Sequence, residues 1–463
     1  MLRPAVLLAV VLVVAPGAQA AQRFDVLVDQ PYPGGRDAAF GLLVPDAGPT
    51  TSRERALRSV LAGEVVNSLR GDPPSRESGV AIGATGAEGR IYVELPQGGR
   101  QANDRRYPIA VAAPGYEGLL TSERTRIPGL VSVADVAPTA LGADGALGWT
   151  AHDDPVAYLR ELDERIDENG TARLPASLLA AAIVVAIALV RPRAAVSALA
   201  TGALANLVLG VLGVSAPWAT IPAIGLGTLA GLAVAPFGAL LTGTVAAYGL
   251  AMAVDATWVA LSPLGPTQNA RFYGISNLLE TMLLPVALAG GLLLGRRFGP
   301  PGLVTAGAIA LVTVAGSRLG ADAGGALVLL AGFGVLLGAL LPRRLALAAL
   351  GSLVVVTVAA LVIGPATHLG GADLPGDLWD RVTLSWARAT DGWAVGVVTA
   401  AALVALAVLV VRGPRTALPL AMATAIGVSM VVNDSPQDVA LGGLVGWLAV
   451  ARFDDTGPVP WGR

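Results

Sequence analysis

The chain has 463 residues, of which 54% are hydrophobic and 14% charged, and its formal net charge is −2. A composition this apolar excludes an ordinary soluble protein and indicates membrane-spanning segments. The charge balance excludes the basic field that attracts nucleic acid. Because the chain has no cysteine, disulfides and thiolate metal sites are excluded as well.

The first twenty residues have the pattern of a secretory signal peptide. Arg3 provides a positive charge, residues 5–15 form an apolar core, and Ala18-Gln19-Ala20 is a small-residue cleavage site. The alternative is an uncleaved first membrane helix, but the apolar core is short for a span. In both cases the following segment is exported.

Residues 21–173 hold most of the charged residues and predict an extracytoplasmic α/β domain. Short apolar runs bounded by turn formers have the length of strands: 24–28, 79–82, 90–95 and 107–113. Apolar residues at helical spacing predict a helix over 52–69. A second helix is expected at 155–166, ended by Asn169-Gly170. Strands alternating with helices favour a small α/β layer.

One segment of this domain carries a motif. Residues 118–131 are followed by Asp135-Val136-Ala137-Pro138-Thr139, an Asp-x-x-Pro-Thr pattern. The segment resembles the C-terminal part of the alkaline-phosphatase/sulfatase superfamily, in which an apolar strand ends in a metal-binding Asp-His-Gly. Here the strand 109–113 ends in Pro114-Gly115-Tyr116. The resemblance therefore implies a metal-free derivative that binds or scaffolds, and we expect neither metal nor cofactor.

From residue 174 onward the chain is a series of apolar stretches of spanning length. Eleven spans are predicted: 174–190, 194–214, 217–236, 238–261, 274–295, 301–317, 323–341, 345–364, 393–411, 416–432 and 438–451. Arginines occur in alternate loops, from Arg191 and Arg193 to Arg452, whereas aspartates occur in the others. The positive-inside rule then places the N-terminal domain outside and the C-terminus in the cytoplasm.

The predicted fold is therefore a polytopic α-helical protein of the plasma membrane with an exported α/β domain. Its expected parts are a signal peptide (1–20), the domain (21–173), a helical bundle (174–452) and a cytoplasmic tail (453–463). The arrangement resembles a group of bacterial multi-pass proteins of unsettled function with an Arg-Phe-Tyr-Gly-Ile-x-Asn motif, here residues 271–277. In that group an acid follows the asparagine directly, whereas here the first acid is Glu280.

Three short polar stretches, 271–277, 317–322 and 433–435, lie at helix ends on the predicted outer face. Charged side chains beside hydrocarbon are costly, so they indicate function. The candidate substrate-binding residues are Arg271, Tyr273, Asn277, Glu280, Arg318, Asp322, Asn433 and Asp434. An arginine there can clamp a phosphate or carboxylate. The alternatives are interfacial anchoring and interhelical hydrogen bonds, an Arg318–Asp322 ion pair, and a capped helix end at 433–435.

Two further features lie outside these stretches. Asp255, placed in the fourth span, is an intramembrane carboxylate. It either relays protons or coordinates a cation in a carrier, or it forms a hydrogen bond with Thr257 or with a neighbouring helix. The predicted outer loop 365–392, with the lone His368, alternates apolar and charged residues as an interfacial amphipathic segment does.

These observations favour a cell-envelope membrane protein that binds or transfers a lipid-linked or anionic substrate at the outer face. Its expected partners are the lipid bilayer and either lipid-linked envelope precursors or envelope-assembly proteins, and not nucleic acid. The alternatives are a secondary transporter or lipid flippase, and a non-catalytic scaffold. Whether the protein is an enzyme is left open.

Overall fold

The computed structural model describes residues 23–34, 37–73, 79–80, 82–269, 271–362, 374–390, 392–433 and 435–453. The predicted signal peptide, His368, Asp434 and residues 454–463 lie outside the described residues. The described part has a mixed α/β region at its N-terminal end and a helical bundle after it.

The described residues of the N-terminal region form nine strands and two α-helices. The strands are β1 (Phe24–Val28), β2 (Ala38–Val44), β3 (Thr50–Thr51), β4 (Gly89–Val93), β5 (Gln101–Ala102), β6 (Tyr107–Ala112), β7 (Gly118–Thr121), β8 (Leu130–Ser132) and β9 (Gly148–Thr150), and the helices are α1 (Arg53–Ala62) and α2 (Val136–Leu141). The main sheet has the order β1-β4-β6-β2-β7-β9, with β8 beside β2, and mixes parallel and antiparallel pairs. β3 and β5 form a separate antiparallel pair.

The predicted elements of this region agree with the structure in part. The runs at 24–28, 90–95 and 107–113 form β1, β4 and β6, whereas Ile82 makes only an isolated bridge to Val26. The helix predicted over 52–69 is too long, because α1 ends at Gly63, which caps it in the left-handed conformation at φ 64°. Ser52 begins the helix by accepting a hydrogen bond from the Arg55 amide.

Residues of the Asp-x-x-Pro-Thr segment and of the stretch before it stabilise the local fold. The Asp135 carboxylate accepts hydrogen bonds from the Ser122 hydroxyl and the Ser132 amide, both at 2.8 Å, and pairs with Arg124 at 3.0 Å. Thr139 Oγ1 donates to the carbonyl of Asp135 at 2.6 Å. Burial raises the pKa of Asp135, while the hydrogen bond from Ser122 opposes that rise. The superfamily resemblance itself stays a prediction.

A buried ion pair joins α1 to the segment before it. The Arg55 guanidinium contacts the Asp46 carboxylate and the carbonyls of Val66 and Gly71. Asp46 is 2% exposed and Arg55 7%. Burial raises the pKa of Asp46 from 3.8 to about 6, although Arg55 opposes the rise. Because the folded-state pKa lies above the unfolded value, ionisation of Asp46 costs stability as the pH rises from 3.8 to about 6.

We expect Arg55→Met to destabilise the protein by roughly 3–5 kcal/mol at pH 8, because it leaves a buried carboxylate without its cation. At pH 5 the loss should be smaller, since Asp46 without Arg55 takes up a proton more readily. Melting temperatures in detergent at both pH values measure this. Arg58→Met is the control, because its ion pairs are exposed and contribute at most about 1 kcal/mol. An equal loss at both pH values would contradict the explanation.

Thirteen helices of the described residues follow. They are α3 (Pro155–Val190), α4 (Pro192–Leu212), α5 (Pro217–Ala230), α6 (Gly238–Val254), α7 (Thr257–Ala260), α8 (Asn277–Phe298), α9 (Pro300–Ala315), α10 (Ala323–Leu340), α11 (Arg343–Val362), α12 (Leu374–Thr390), α13 (Trp393–Arg412), α14 (Ala417–Val432) and α15 (Pro436–Ala451). Buried apolar residues from most of them form one continuous core.

Six of the described helices are long and apolar enough to cross a membrane: α3, α4, α8, α10, α11 and α13. The chain thus has membrane-spanning candidates, as its composition predicts. The other five predicted spans correspond to α5, α6, α9, α14 and α15, which have 14 to 17 residues. At 1.5 Å per residue, 17 residues extend about 26 Å, just short of a typical hydrocarbon core. The number of eleven spans stays a prediction.

The helix stop predicted at Asn169-Gly170 is wrong, because α3 continues for 36 residues from Pro155 to Val190. Its polar first half packs beside the sheet, and its apolar second half enters the bundle core. Asn169 is compatible with the helix because its side-chain amide donates to the Leu261 carbonyl at 2.8 Å. The boundary predicted at 173 therefore falls inside one continuous helix.

The N-terminal region contacts the bundle through a small apolar core of its own. The sheet region, α3 and the segment between α7 and α8 each contribute buried residues to it: Val44, Leu119, Ile127, Leu130, Leu159, Leu162, Ile166, Ala260, Leu261, Phe272 and Tyr273. This contact places the sheet region directly against the Arg-Phe-Tyr-Gly stretch.

Candidate functional site

The first two polar stretches, 271–277 and 317–322, contact each other through an ion pair. Arg271 Nη1 lies 3.0 Å from Asp322 Oδ2, and Arg271 Nη2 donates to the Gly320 carbonyl at 2.9 Å. Asp322 Oδ1 accepts a hydrogen bond from the Gly325 amide at 2.9 Å and so caps α10. The Asp322 side chain is 5% exposed and that of Arg271 26%. Arg271 thus neutralises a carboxylate at the start of a helix.

Glycines allow these two stretches to approach backbone to backbone. Gly274 has φ +84°, and a Cβ added there would stand 2.1 Å from the Gly320 carbonyl oxygen. A Cβ on Gly320 would stand 2.3 Å from the Val314 carbonyl oxygen. Real Cβ atoms do not approach so closely, so both positions need glycine.

The third stretch joins the same cluster through Glu280. The side-chain amide of Asn433 donates to Glu280 Oε2 at 2.9 Å and to Ser429 Oγ at 2.8 Å. The carboxyl carbons of Glu280 and Asp322 each lie 3.3 Å from the position of a Cβ on Gly325, so they are at most twice that distance apart. Among the described residues, none donates a hydrogen bond to the buried Glu280 Oε1. Three stretches distant in sequence therefore form one buried polar cluster.

A cavity of about 440 Å³ lies beside this cluster. Its described charged lining residues are Arg70, Arg173, Arg271, Arg388, Asp322 and Asp438. Among these described residues four arginines outnumber two aspartates, so the described part of the lining is net positive. Ser276, Asn277, Asn433 and Ser435 add hydroxyl and amide groups that can donate hydrogen bonds.

Some of the predicted site residues lie at the cavity, whereas Tyr273 lies elsewhere in the fold. Arg271, Asn277, Asp322 and Asn433 line the cavity, and Glu280 contacts Asn433 from behind it. Tyr273 instead is fully buried against the N-terminal region, where the Arg126 guanidinium lies 4.0 Å from the centre of its ring. Arg126 also donates to the Ser317 carbonyl at 3.2 Å, so this pair joins the sheet region to the bundle.

Arg318 and Asp255 lie away from the cavity lining. Arg318 is exposed on the surface. Asp255 lies just after the end of α6, and its carboxylate accepts hydrogen bonds from the Thr257 amide at 2.8 Å and hydroxyl at 2.6 Å. The fourth predicted span, which corresponds to α6, thus ends at Val254 and not at 261. Asp255 forms the hydrogen bond with Thr257 that was the alternative to a role in a carrier. Asp434 lies outside the described residues.

Several cavity residues carry only weak sequence signals. Arg173 is the last charged residue before the first predicted span, and Asp438 begins the last one. Arg388 belongs to the amphipathic stretch 365–392. These positions are interfacial by hydropathy, so they could have been included with the three polar stretches. Arg70 has no such signal, because it follows α1 in the N-terminal region and reaches the cavity only through the fold.

A second cavity, of about 610 Å³, lies between the N-terminal region and the segment at 267–269. Its charged lining residues are Asp104, Arg105, Arg106 and Asp167, so its charges balance. Arg106 is also paired with Asp163 and Asp167 of α3. This lining favours an interface between parts of the chain over an anion site.

Of these two cavities, the one at the polar cluster combines the predicted residues with an excess of positive charge among its described lining residues. Searches for similar proteins add no relative to guide its assignment: no protein-family model, no curated protein and no solved structure matches the chain.

Proposed function

We propose that this membrane protein binds an anionic envelope substrate, carrying a phosphate or carboxylate, in the 440 Å³ cavity at its outer face. The observation that supports the proposal is the set of four arginines converging from separate elements on one cavity. Arginine presents a planar set of donors that matches phosphate and carboxylate oxygens.

The cavity also has polar groups that can orient the bound anion. Ser276, Asn277 and Asn433 line it next to Arg271. Glu280 accepts a hydrogen bond from Asn433 and is not itself a lining residue of this cavity. Because this carboxylate does not face the bound anion, the lining supports binding more directly than acid–base catalysis by Glu280. Transfer of the bound group remains an additional hypothesis that binding alone does not require.

The position of the N-terminal domain fits the same proposal. It is held against the bundle by the Arg126–Tyr273 contact, and its Arg70 and Val65 line the cavity. A substrate bound there would contact both parts of the chain. In a bacterial envelope such an arrangement suits a protein that handles precursors at the outer surface of the plasma membrane.

Arginine variants test the proposal with two phosphate monoesters, water-soluble sn-glycerol 3-phosphate and its lipid counterpart phosphatidic acid. We expect Arg173→Gln and Arg388→Gln each to weaken binding of the probe that the wild type binds. The expected loss is roughly tenfold to a hundredfold, since a hydrogen bond to a charged group contributes about 1.5–3 kcal/mol. Calorimetry measures the soluble probe, and native mass spectrometry measures the lipid retained from nanodiscs.

Arg318→Gln is the matched control, because it removes the same charge from an exposed position outside the cavity lining. It should leave binding within twofold. Complementation of a deletion strain should follow the same order. If the wild type bound neither probe, or if Arg318→Gln were as damaging as Arg173→Gln, the proposed function would be wrong.

A further inference from the structure

The helix α12 has two chemically different sides. Trp379 and Trp386 are 67% and 72% exposed. They are seven residues apart, which brings them to within about 20° of each other around the helix. Both tryptophans therefore extend from one side of α12 and are largely exposed.

The opposite side of α12 contacts the bundle and the cavity. Leu384 and Ser385 are buried, and α12 packs against α13, α14 and α15. Arg388 follows Trp386 by two residues, so it lies about 200° around the helix from it. Arg388 Nη1 donates to Ser435 Oγ at 2.9 Å, and both residues line the 440 Å³ cavity. This helix thus has tryptophans on one side and a cavity-lining arginine on the other.

The neighbouring helix indicates the level of α12 in the membrane. Trp393, which is 84% exposed, begins α13, one of the six helices able to span. Tryptophan at the end of a span marks the headgroup layer. Since α12 ends at Thr390 and only two residues separate it from α13, the C-terminal end of α12 lies close to that level. Amphipathic helices at that level bury their apolar side at the boundary between headgroups and acyl chains.

We infer that the cavity receives the phosphate headgroup of a membrane lipid, which enters sideways from the outer leaflet past α12. This inference rests on the proposed function and specifies its ligand as lipid-borne. The tryptophans hold α12 in the lipid interface, while Arg388 on its other side contributes to the positive lining. The headgroup then lies among the arginines, and the acyl chains remain in the bilayer. A solute from the aqueous phase would need no such helix.

The first test compares the two probes in a Trp379→Ser/Trp386→Ser variant. Wild-type protein in phosphatidylcholine nanodiscs should retain phosphatidic acid and bind sn-glycerol 3-phosphate at least tenfold more weakly. The double variant should retain at least fivefold less phosphatidic acid and change glycerol phosphate affinity less than twofold. Trp218→Ser is the matched control, because Trp218 is 83% exposed at the start of α5, away from the cavity lining. It should retain wild-type amounts of lipid.

Equally tight binding of the soluble probe, with lipid retention unchanged in the double variant, would overturn the lipid inference and leave the proposed function standing. Binding of neither probe by the wild type would overturn the proposed function, and this inference with it. The two failures are therefore distinguishable.

A second measurement does not depend on ligand or on tolerance of the serine changes. Because the chain has no cysteine, Trp386→Cys and Trp149→Cys give single sites for a spin label. Trp149 lies in β9 of the N-terminal domain. A label at 386 should be more accessible to oxygen than to an aqueous nickel reagent, and a label at 149 should show the reverse. An aqueous pattern at 386 would contradict membrane contact by α12.

Discussion

Gly274→Ala is expected to abolish anion binding and to destabilise the protein by roughly 3–5 kcal/mol. The added Cβ would stand 2.1 Å from the Gly320 carbonyl oxygen, and the residue has φ +84°. An L-residue is strained at that φ, and the two backbones would have to separate. Arg271 bonds the same Gly320 carbonyl, so separation would also displace the cavity lining.

Melting temperature in detergent and retention of phosphatidic acid measure this effect. Gly243→Ala is the matched control, because a Cβ on that glycine of α6 meets no atom within 4 Å in the described structure. The control should be neutral or more stable by about 0.5–1 kcal/mol, since alanine favours a helix interior over glycine. Wild-type stability in Gly274→Ala would show that the close approach of the two stretches is incorrect.

Arg271→Ala is expected to have an effect of similar size, a loss of roughly 3–5 kcal/mol together with loss of anion binding. The variant removes the cation that lies 3.0 Å from the buried Asp322 carboxylate. Asp322 also caps α10 through the Gly325 amide, so the variant leaves a buried charge at the start of that helix without the cation beside it. The free energy of unfolding should therefore fall well beyond what loss of a surface arginine causes.

A double-mutant cycle separates charge from shape. Arg271→Gln combined with Asp322→Asn removes both charges, and an asparagine can still cap α10. The double variant should be more stable than Arg271→Gln alone by at least about 1 kcal/mol, a coupling typical of residues in direct contact. Anion binding should stay low in the double variant, because the arginine is absent from the cavity. Additive losses in stability would mean that the pair is not coupled.

The two predictions depend on contacts between residues that the sequence marked as a candidate site but did not pair with each other. The polar character of 271–280, 317–322 and 433–435 is visible in the chain, and its contrast with the apolar surroundings marked these stretches as a candidate site. Arginine placement put them on one predicted face. Neither observation shows that Arg271 pairs with Asp322 or that Asn433 contacts Glu280, since these partners are 51 and 153 residues apart.

Sequence by itself determined the features that depend on local pattern. Apolar runs of spanning length became helices because hydrocarbon-compatible side chains and internally bonded backbone are set by consecutive residues. The strands β1, β4 and β6 and the polar stretches at helix ends follow from the same kind of local signal. The threading across the membrane stays a prediction from arginine placement.

Tertiary structure decided what distant parts of the chain do together. Asn169-Gly170 does not end α3, because Leu261 accepts the asparagine's hydrogen bond and the helix packs along its length. Tyr273 does not line the cavity, because it is buried and Arg126 of the N-terminal region packs over its ring. Arg70, Arg173 and Arg388 belong to the candidate site because three separate parts of the chain meet at one cavity. Such contacts arise from packing and override local propensity, so no window of consecutive residues contains them.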